Sequence, residues 1–157
     1  MLLRRCQPCE SRELRAWIAQ RHYTRSAPPG YVVALEFLDL HGQRIGGMLL
    51  GRPTSREIDA DLWLELTRMY FVDEAPANTE SQSLAAMRKW IRKWLPQIKG
   101  LLAYSDPTVG HTGGIYRADN WAPFGRTSGG SQSWSNRPNR HAPAGPTSRK
   151  LRWIRSP

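Results

Sequence analysis

The spacing of apolar residues separates helix-forming from strand-forming segments of the chain. Apolar residues recur three and four positions apart in two long segments, which predicts amphipathic helices, and runs of branched and aromatic residues predict strands. The predicted elements are, in order, a helix over 11–22, strands over 31–40, 44–52 and 62–72, a helix over 79–95, a strand over 101–104, a short helix over 112–120, and strands over 124–131 and 150–154. This order predicts an α+β fold with a mixed central sheet and a helix on each face.

Length and composition narrow the kind of protein. The 157 residues suit a single domain over 1–157 that ends in a basic region, rich in proline, serine and tryptophan, over 127–157. No apolar run approaches the roughly 18 residues of a membrane span, and the start of the chain is too short for a signal peptide. We therefore expect a cytoplasmic protein without a membrane partner. Cys6 and Cys9 form a lone CxxC pair, which lacks the further ligands that a zinc site needs, and we expect incidental thiols.

The charge distribution favours a nucleic-acid partner. The formal net charge is +10, and from residue 107 to residue 157 eight basic residues stand against one acid. Basic groups neutralise phosphates, and an aromatic face can stack on an extruded base. The alternative is a basic tail that only aids solubility. The candidate DNA-binding residues are Arg126, Arg137, Arg140, Arg149, Lys150 and Trp134.

The segment 104–121 is the strongest candidate for a functional site. It combines a carboxylate, an imidazole, a phenol and three glycines directly after an apolar run that predicts a buried strand. Ligands commonly bind where a strand ends beside a glycine-rich turn, because backbone and side chains converge there. Asp106 is therefore expected at the end of a strand, facing a binding site.

The order of the elements resembles the acetyltransferase fold of the GNAT superfamily. In that fold, a glycine-rich loop at the start of a long helix cradles the pyrophosphate of coenzyme A. The matching segment here, 72–81, contains no glycine and three acids, and these acids would repel a pyrophosphate. The resemblance thus implies a GNAT-like sheet, while the segment argues against coenzyme A as the cofactor.

Five motifs carry a closer resemblance. They are His22-Tyr23, Glu65-Leu66-Thr67-Arg68, Asn78-Thr79-Glu80-Ser81, Tyr104-Ser105-Asp106, and Gly110-His111-Thr112-Gly113-Gly114-Ile115-Tyr116-Arg117-Ala118-Asp119-Asn120-Trp121. In this order they resemble the Mom family of phage DNA modification proteins over residues 20–126. The resemblance implies a phage-encoded transferase, active in the cytoplasm of the bacterial host. Such an enzyme places a carbamoylmethyl group on the exocyclic N6 amine of adenine in double-stranded DNA and so protects phage DNA from host restriction enzymes.

The donor of that group is unknown from the sequence. The skeleton of the product, with two carbons and one nitrogen, suggests a glycine-derived donor. The candidate donor-binding residues lie at the start of the second long helix: Asn78, Thr79, Ser81 and Ser83. Capping explains part of this set equally well, because Thr79 is followed three positions later by Gln82, which resembles a capping box.

Asp106 and Arg68 are the first two candidate catalytic residues. Asp106 is expected to accept a proton from the adenine amine, or else to cap the turn through its neighbouring amides. Strict alternation in the third strand places Arg68 on one face with Leu66 and Tyr70. A cation within a strand needs an anionic partner, which is Asp106, a group of the donor, or a purely structural mate.

Tyr116, His22 and Tyr23 complete the candidate catalytic set. A tyrosine near the position of Tyr116 protonates the leaving group in many GNAT enzymes, although a packed core tyrosine is nearly as good an interpretation. His22 and Tyr23 end the first helix, where GNAT folds form a wall of the acceptor cleft; a C-terminal cap would also suit His22. No metal triad of obvious spacing is present, and whether His22, His111 and Asp106 converge stays open.

The best interpretation is therefore an adenine-modifying DNA enzyme, a monomer or a dimer, that acts on an extruded base. Tyr23, Tyr31 and Trp134 are candidates to stack on that base. One alternative is a GNAT-type N-acyltransferase that acts on an amine of RNA, protein or a small molecule. Another is a basic DNA-binding module without catalysis, which would leave the cluster around Asp106 and Tyr116 unexplained.

Overall fold

The computed structural model describes residues 1–28, 30–127 and 150–157 in full, and the backbone of 130–135 and 145–147. Three α-helices are present in the described ranges: α1 (Pro8–Arg21), α2 (Thr79–Trp94) and α3 (Gly114–Ala118). A short 3₁₀ turn spans Pro107–Val109. The strands are β1 (Leu2–Arg5), β2 (Val33–Leu38), β3 (Arg44–Gly51), β4 (Trp63–Phe71), β5 (Gly100–Ser105), β6 (Ala122–Arg126), β7 (Gly130–Ser135), β8 (Gly145–Thr147) and β9 (Leu151–Arg155).

Seven strands form one mixed sheet in the order β1-β2-β3-β4-β5-β9-β6, and β7 pairs with β8 separately. All pairs in the large sheet are antiparallel except β4 with β5. The helix between β4 and β5 makes this parallel crossover possible, since parallel neighbours cannot be joined by a tight turn. The predicted α+β class with a mixed sheet is confirmed.

The two long helices cover opposite faces of the sheet. Leu14 and Ile18 of α1 pack on one face, in a cluster with Ala34 and Leu49. On the other face, Leu84, Met87 and Ile91 of α2 belong to the larger core cluster. Because successive side chains of a strand point to opposite faces, neighbouring residues of β2 and β3 are divided between the two clusters, as expected for a sheet with a helix on each side.

The parallel pair β4–β5 opens partway along its length. Pairing between these strands runs from Trp63 opposite Gly100 to Leu66 opposite Ala103, while β4 continues along β3 to Phe71. Beyond Leu66 the two strands therefore separate. This opening positions the site described below.

Strand β1 was missed by the sequence analysis. It pairs antiparallel with β2, and the side chain of Arg4 contacts Glu36, which is 1% exposed. Arg44 donates to the other oxygen of Glu36 at 3.0 Å. The following Cys6 is buried, and burial raises the pKa of its thiol to about 11, which keeps the thiol protonated.

Several boundaries also differ from the prediction. Helix α1 begins at Pro8 rather than residue 11, α3 is shorter than 112–120, and the predicted strand over 124–131 is replaced by β6 and the separate β7. The predicted capping box is wrong. Asn78, with a φ of 66°, is the N-cap of α2, and the Thr79 hydroxyl donates to the Pro76 carbonyl instead.

In the described part of the chain, no helix is long and apolar enough to span a bilayer.

Candidate active site

A cleft of about 1480 Å³ occupies the opening between β4 and β5. Its walls come from the end of α1, the second half of β4, the end of β5 with the following turn and α3, and the start of β9. The five candidate catalytic residues all line this cleft: His22, Tyr23, Arg68, Asp106 and Tyr116. The fold thus brings together residues that are up to 94 positions apart in the chain, counting from 22 to 116.

Asp106 caps the turn after β5 and also lines the cleft. It follows β5 directly, is 8% exposed, and is the N-cap of the 3₁₀ turn. Its Oδ1 accepts from the backbone N–H of Thr108 at 3.0 Å and from the Thr108 hydroxyl at 2.6 Å. These two bonds fix the carboxylate in the cleft wall. Capping is therefore how the chain orients Asp106, and it does not exclude a chemical role.

Tyr23 contacts the rings of two histidines. Its ring is 4.4 Å from the ring of His22 and meets the ring of His111 edge-on at 4.8 Å. Burial raises the pKa of the Tyr23 phenol, the charge of Asp106 raises it further, and Arg68 opposes the shift. The hydroxyl therefore stays protonated at neutral pH and can donate a hydrogen bond.

His22 is the C-cap of α1, and its backbone N–H donates to the Ile18 carbonyl at 2.7 Å. The ring Nδ1 accepts from the backbone N–H of Thr24 at 3.2 Å and lies 2.8 Å from the Thr24 hydroxyl. An Nδ1 that accepts a hydrogen bond carries no proton, so a neutral His22 carries its ring proton on Nε2. His22 therefore ends α1 through its backbone N–H and is also part of the cleft lining.

Arg68 is half-buried and bonded only to neutral oxygens. Its guanidinium donates to the Ser26 carbonyl at 3.1 Å, the Ser26 hydroxyl at 3.2 Å and the Thr67 carbonyl at 2.7 Å. Among the described residues no carboxylate forms an ion pair with it, and the suggested pair with Asp106 is not found. Burial lowers the pKa of Arg68, while Tyr23 and Glu65 counteract this shift.

The prediction of which residues share a face of β4 with Arg68 is wrong in one respect. A bulge between Leu49 and Leu50 sets Leu49 opposite Arg68 and Leu50 opposite Leu66. The intervening Thr67 is therefore extra to the ladder, and alternation is shifted by one position. Leu66 packs in the core under α2 whereas Tyr70 packs on the α1 side, so Arg68 shares a face with Tyr70 but not with Leu66.

Tyr116 is packed between two tryptophans at the back of the cleft. Its ring stacks on Trp153 at 5.9 Å and is tilted against Trp121 at 5.3 Å. Burial raises the pKa of its phenol far above the ordinary value, and Tyr23 and Glu80 add to the shift. The hydroxyl is therefore a hydrogen-bond donor throughout the neutral range.

An ion pair between helices holds α3 in this position. Arg88 of α2 donates two hydrogen bonds to the carboxylate of Asp119, at 2.7 and 2.8 Å, and the indole of Trp121 donates to Asp119 at 2.8 Å. A bidentate guanidinium–carboxylate pair fixes direction as well as distance. It therefore fixes the position of the helix that carries Tyr116.

The four candidate donor-binding residues lie outside the lining of the cleft. Ser83 is fully buried and donates to the Thr79 carbonyl at 2.7 Å, and Ser81 donates to the Asn78 carbonyl at 3.1 Å. Thr79 is bonded to Pro76, as described above. Near this helix start, the residues that do line the cleft are Asp73, in the loop between β4 and α2, and Glu80, in the first turn of α2.

The candidate DNA-binding residues are only partly described. Arg126 is exposed on β6, and Lys150 lines the cleft just before β9. Trp134 belongs to β7, for which the backbone alone is described, and Arg137, Arg140 and Arg149 lie outside the described residues.

Glu65 and Arg152 line the cleft but were not singled out as site residues. Glu65 is 7% exposed and accepts from the backbone N–H of Thr54 at 2.7 Å. Glu65 stands in the same sequence motif as Arg68, and this proximity was the one signal that could have identified it as a site residue. The bulge hid that signal, because it shifts the alternation that predicts which face of the strand each residue occupies. Within the described ranges, no group of three or more His, Cys, Asp or Glu side chains could hold a metal ion.

Replacing Tyr116 by phenylalanine separates the packing of this side chain from its hydroxyl. The ring contacts with Trp121 and Trp153 remain, so we expect a melting temperature close to that of the wild type. Loss of a positioned proton or hydrogen-bond donor lowers a catalysed rate by about 10²-fold or more. The catalysed rate and the thermal unfolding curve, measured on the same preparation, test this together. A variant that keeps full activity would make Tyr116 a core residue only.

The fold is similar to that of GNAT acetyltransferases. The spermidine N-acetyltransferase of Vibrio cholerae, solved in complex with CoA and spermine, superposes with a TM-score of 0.65 at 11% identity, over 99% of this chain and 94% of that one. The ribosomal-protein-S5-alanine acetyltransferase of Vibrio fischeri gives a TM-score of 0.65 at 8% identity, over 98% and 91% of the two chains. At these identities the likeness establishes the fold.

The family follows from the sequence match. The family model of the Mom protein family matches residues 4–145, and the chain belongs to this family. It is 32% identical over 71 residues to the protein named methylcarbamoylase Mom of Escherichia phage Mu. The aligned part covers 45% of this chain and 30% of the phage Mu protein.

Proposed function

We propose that this protein is a phage-encoded transferase that adds a carbamoylmethyl group to the N6 amine of adenine in DNA, and that it acts in the host cytoplasm to protect phage DNA from restriction. One observation carries the proposal: a carboxylate, two phenols and a half-buried guanidinium, far apart in the chain, line one cleft of a Mom family protein. Family membership supports a DNA substrate, and the GNAT-like fold supports group transfer to an amine.

Asp106 supplies the base for this reaction. The N6 amine of adenine is a weak nucleophile, because its lone pair is delocalised into the ring, and it must lose a proton as the new bond forms. In the proposed step, N6 attacks the methylene carbon of the donor, the bond from that carbon to the leaving group breaks, and the N6 proton passes to Asp106. The bonds from Thr108 hold the carboxylate in place for this transfer.

Tyr116 and Arg68 act on the donor. The protonated Tyr116 hydroxyl donates a hydrogen bond to the negative charge that develops on the leaving group. Arg68, whose partners are all neutral oxygens, binds the carbonyl oxygen of the carbamoyl group. Such an oxygen can share the guanidinium with the Ser26 and Thr67 oxygens without any ion pair being broken.

The size and aromatic wall of the cleft suit an extruded base. An adenine inside a duplex is paired, so the enzyme must flip it out of the stack. A cleft of about 1480 Å³ exceeds the roughly 300–1,000 Å³ of ordinary small-molecule sites, which leaves room for a nucleotide together with a donor. Tyr23 is 44% exposed and contacts His111, which supports it as the residue that stacks on the base.

Coenzyme A, which the GNAT fold implies, does not fit the residues at the start of α2. A helix start that binds pyrophosphate offers free N–H groups and no competing acids. Here Asp73 and Glu80 line the cleft at that position, and Asn78 is a left-handed N-cap with a side chain where a glycine would be expected. A glycine-derived donor without a pyrophosphate is the better match. For the proposed step, its methylene carbon must carry an activated leaving group in place of the free amine, and this group departs with the electron pair of the broken bond. No step of the proposed reaction uses coenzyme A.

Mass spectrometry of nucleosides tests the proposal directly. The protein is expressed in bacteria, the DNA is digested, and the adenosine species are compared with those from cells that carry an empty vector. We expect a new deoxyadenosine in which a carbamoylmethyl group replaces one hydrogen. If adenine stays unmodified while the protein is soluble and abundant, the proposal is wrong. The GNAT-like fold would then favour an N-acyltransferase, which isothermal titration with acetyl coenzyme A would detect.

A further inference from the structure

Two cations on the β9 wall of the cleft have no part in the chemistry proposed above. Lys150 and Arg152 both line the cleft. Arg152 pairs with Tyr104 across the β5–β9 ladder, and its guanidinium carbon lies 5.9 Å from the centre of the Tyr104 ring. Its buried Nε has no hydrogen-bond partner among the described residues. A guanidinium that lines the cleft and lies over an aromatic face is suited to an incoming oxygen ligand.

The sheet places these cations close to Asp106. Lys150 directly precedes Leu151, which pairs with Ser105, and Asp106 directly follows Ser105. The backbone of Lys150 is fixed by two bonds with Thr127, each of 2.9 Å. Continuing this antiparallel ladder by one step sets Lys150 opposite Asp106, and makes Arg152, which is opposite Tyr104, the diagonal neighbour of Asp106. Opposite and diagonal neighbours on adjacent strands lie within about 8 Å of each other, so both cations lie within roughly the length of one nucleotide from the carboxylate.

We propose that Lys150 and Arg152 form a phosphate site, which holds a backbone phosphodiester of the DNA strand whose adenine is extruded into the cleft. Guanidinium and ammonium groups are the usual partners of phosphate, and arginine binds it in a directed, bidentate manner. The site rests on the proposed function, because the base must lie at Asp106 for the neighbouring phosphate to reach β9. It adds Arg152 to the residues that contact DNA.

Arg155 provides a matched control on the same strand. It carries the same charge as Arg152, and its Nε is likewise buried without a partner in the described part of the chain. It does not line the cleft. Changing either arginine to glutamine removes one positive charge from β9, but only Arg152→Gln removes one from the proposed site.

The test is the salt dependence of DNA binding, followed by fluorescence anisotropy with a labelled adenine-containing duplex. Each lost phosphate contact flattens the slope of log K against log[salt] by about 0.9. We expect this change and several-fold weaker binding at low salt for Arg152→Gln, a wild-type slope for Arg155→Gln, and recovery of the slope in Arg152→Lys. Thermal unfolding confirms that each variant is folded.

Equal slopes for the two glutamine variants would overturn the site, and so would a wild-type protein that does not bind the duplex. If Arg152→Gln keeps the wild-type slope but modifies DNA more slowly, the anion belongs to the donor rather than to the DNA backbone, which also overturns the proposal. DNA binding requires no turnover. The result therefore stands apart from the nucleoside measurement, and the two proposals can fail separately.

Discussion

Asp106→Asn is expected to lower the rate of adenine modification by about 10²–10⁴-fold, the range for loss of a positioned base. An asparagine side-chain oxygen can accept the same two bonds from Thr108 that Oδ1 accepts now. The cap and the fold should therefore persist, while the ability to take a proton is lost. The measurement is the fraction of carbamoylmethylated deoxyadenosine against time, at equal amounts of folded protein.

Asp39→Asn is the matched control for this change. Asp39 also caps a turn, because its Oδ1 accepts from the backbone N–H groups of His41 and Gln43 at 2.8 and 2.9 Å. It lies in the β2–β3 hairpin and does not line the cleft. Its variant should keep wild-type activity. If both variants were equally active, Asp106 would be only a cap, and the base would have to be sought elsewhere in the cleft.

Periodicity was enough to predict the central elements of the fold. Long amphipathic or branched segments such as 62–72 and 79–95 bury one face over many residues, so their pattern is visible in the sequence alone. Strand β1 has only four residues, two of them arginines. It pairs with β2, where Arg4 lies opposite Glu36, 32 positions away, and an interaction between residues so distant in the chain leaves no local pattern.

The sequence motifs were enough to group the candidate catalytic residues into one site. They were not enough to predict which face of its strand or helix each residue occupies. The facing of Arg68 depends on a bulge between Leu49 and Leu50, which is a property of two paired strands rather than of either strand alone. Their chemical roles stay predictions until the variants are measured.

The helix start gives a second example of this limit. Asn78, rather than Thr79, is the N-cap of α2, and the Ser83 hydroxyl donates to the Thr79 carbonyl within the helix. The residues whose hydroxyl and amide groups suit donor binding therefore lie outside the cleft lining, whereas the acids Asp73 and Glu80 line the cleft. Capping residues and ligand-binding residues share the same chemical types, so the sequence does not distinguish them.

Among the parts of the site, we expect the glycine turn before α3 to tolerate the addition of a methyl group least. Gly113 has a φ of 84°, and a Cβ at this position would lie 2.1 Å from Cζ2 of Trp153. For Gly113→Ala, a left-handed residue costs about 1–2 kcal/mol and overpacking about 1–3 kcal/mol. Trp153 is 1% exposed and donates to the Ser105 hydroxyl at 2.8 Å, so it cannot move without disturbing the residue before Asp106.

Alanine variants of two neighbouring glycines separate the cost of the left-handed backbone from the cost of the clash with Trp153. Gly110 has a φ of 82° but open space around its Cβ position, and Gly114 also has open space and no positive φ. We expect unfolding in urea to give a loss of about 1–2 kcal/mol for Gly110→Ala, little change or a small gain for Gly114→Ala, and the largest loss for Gly113→Ala. Because Tyr116 stacks on Trp153, Gly113→Ala should also lower activity more than its loss of stability explains. If it were no less stable than Gly110→Ala, the close approach of Gly113 to Trp153 would not hold α3 in place, and the position of Tyr116 would depend on the Arg88–Asp119 pair alone.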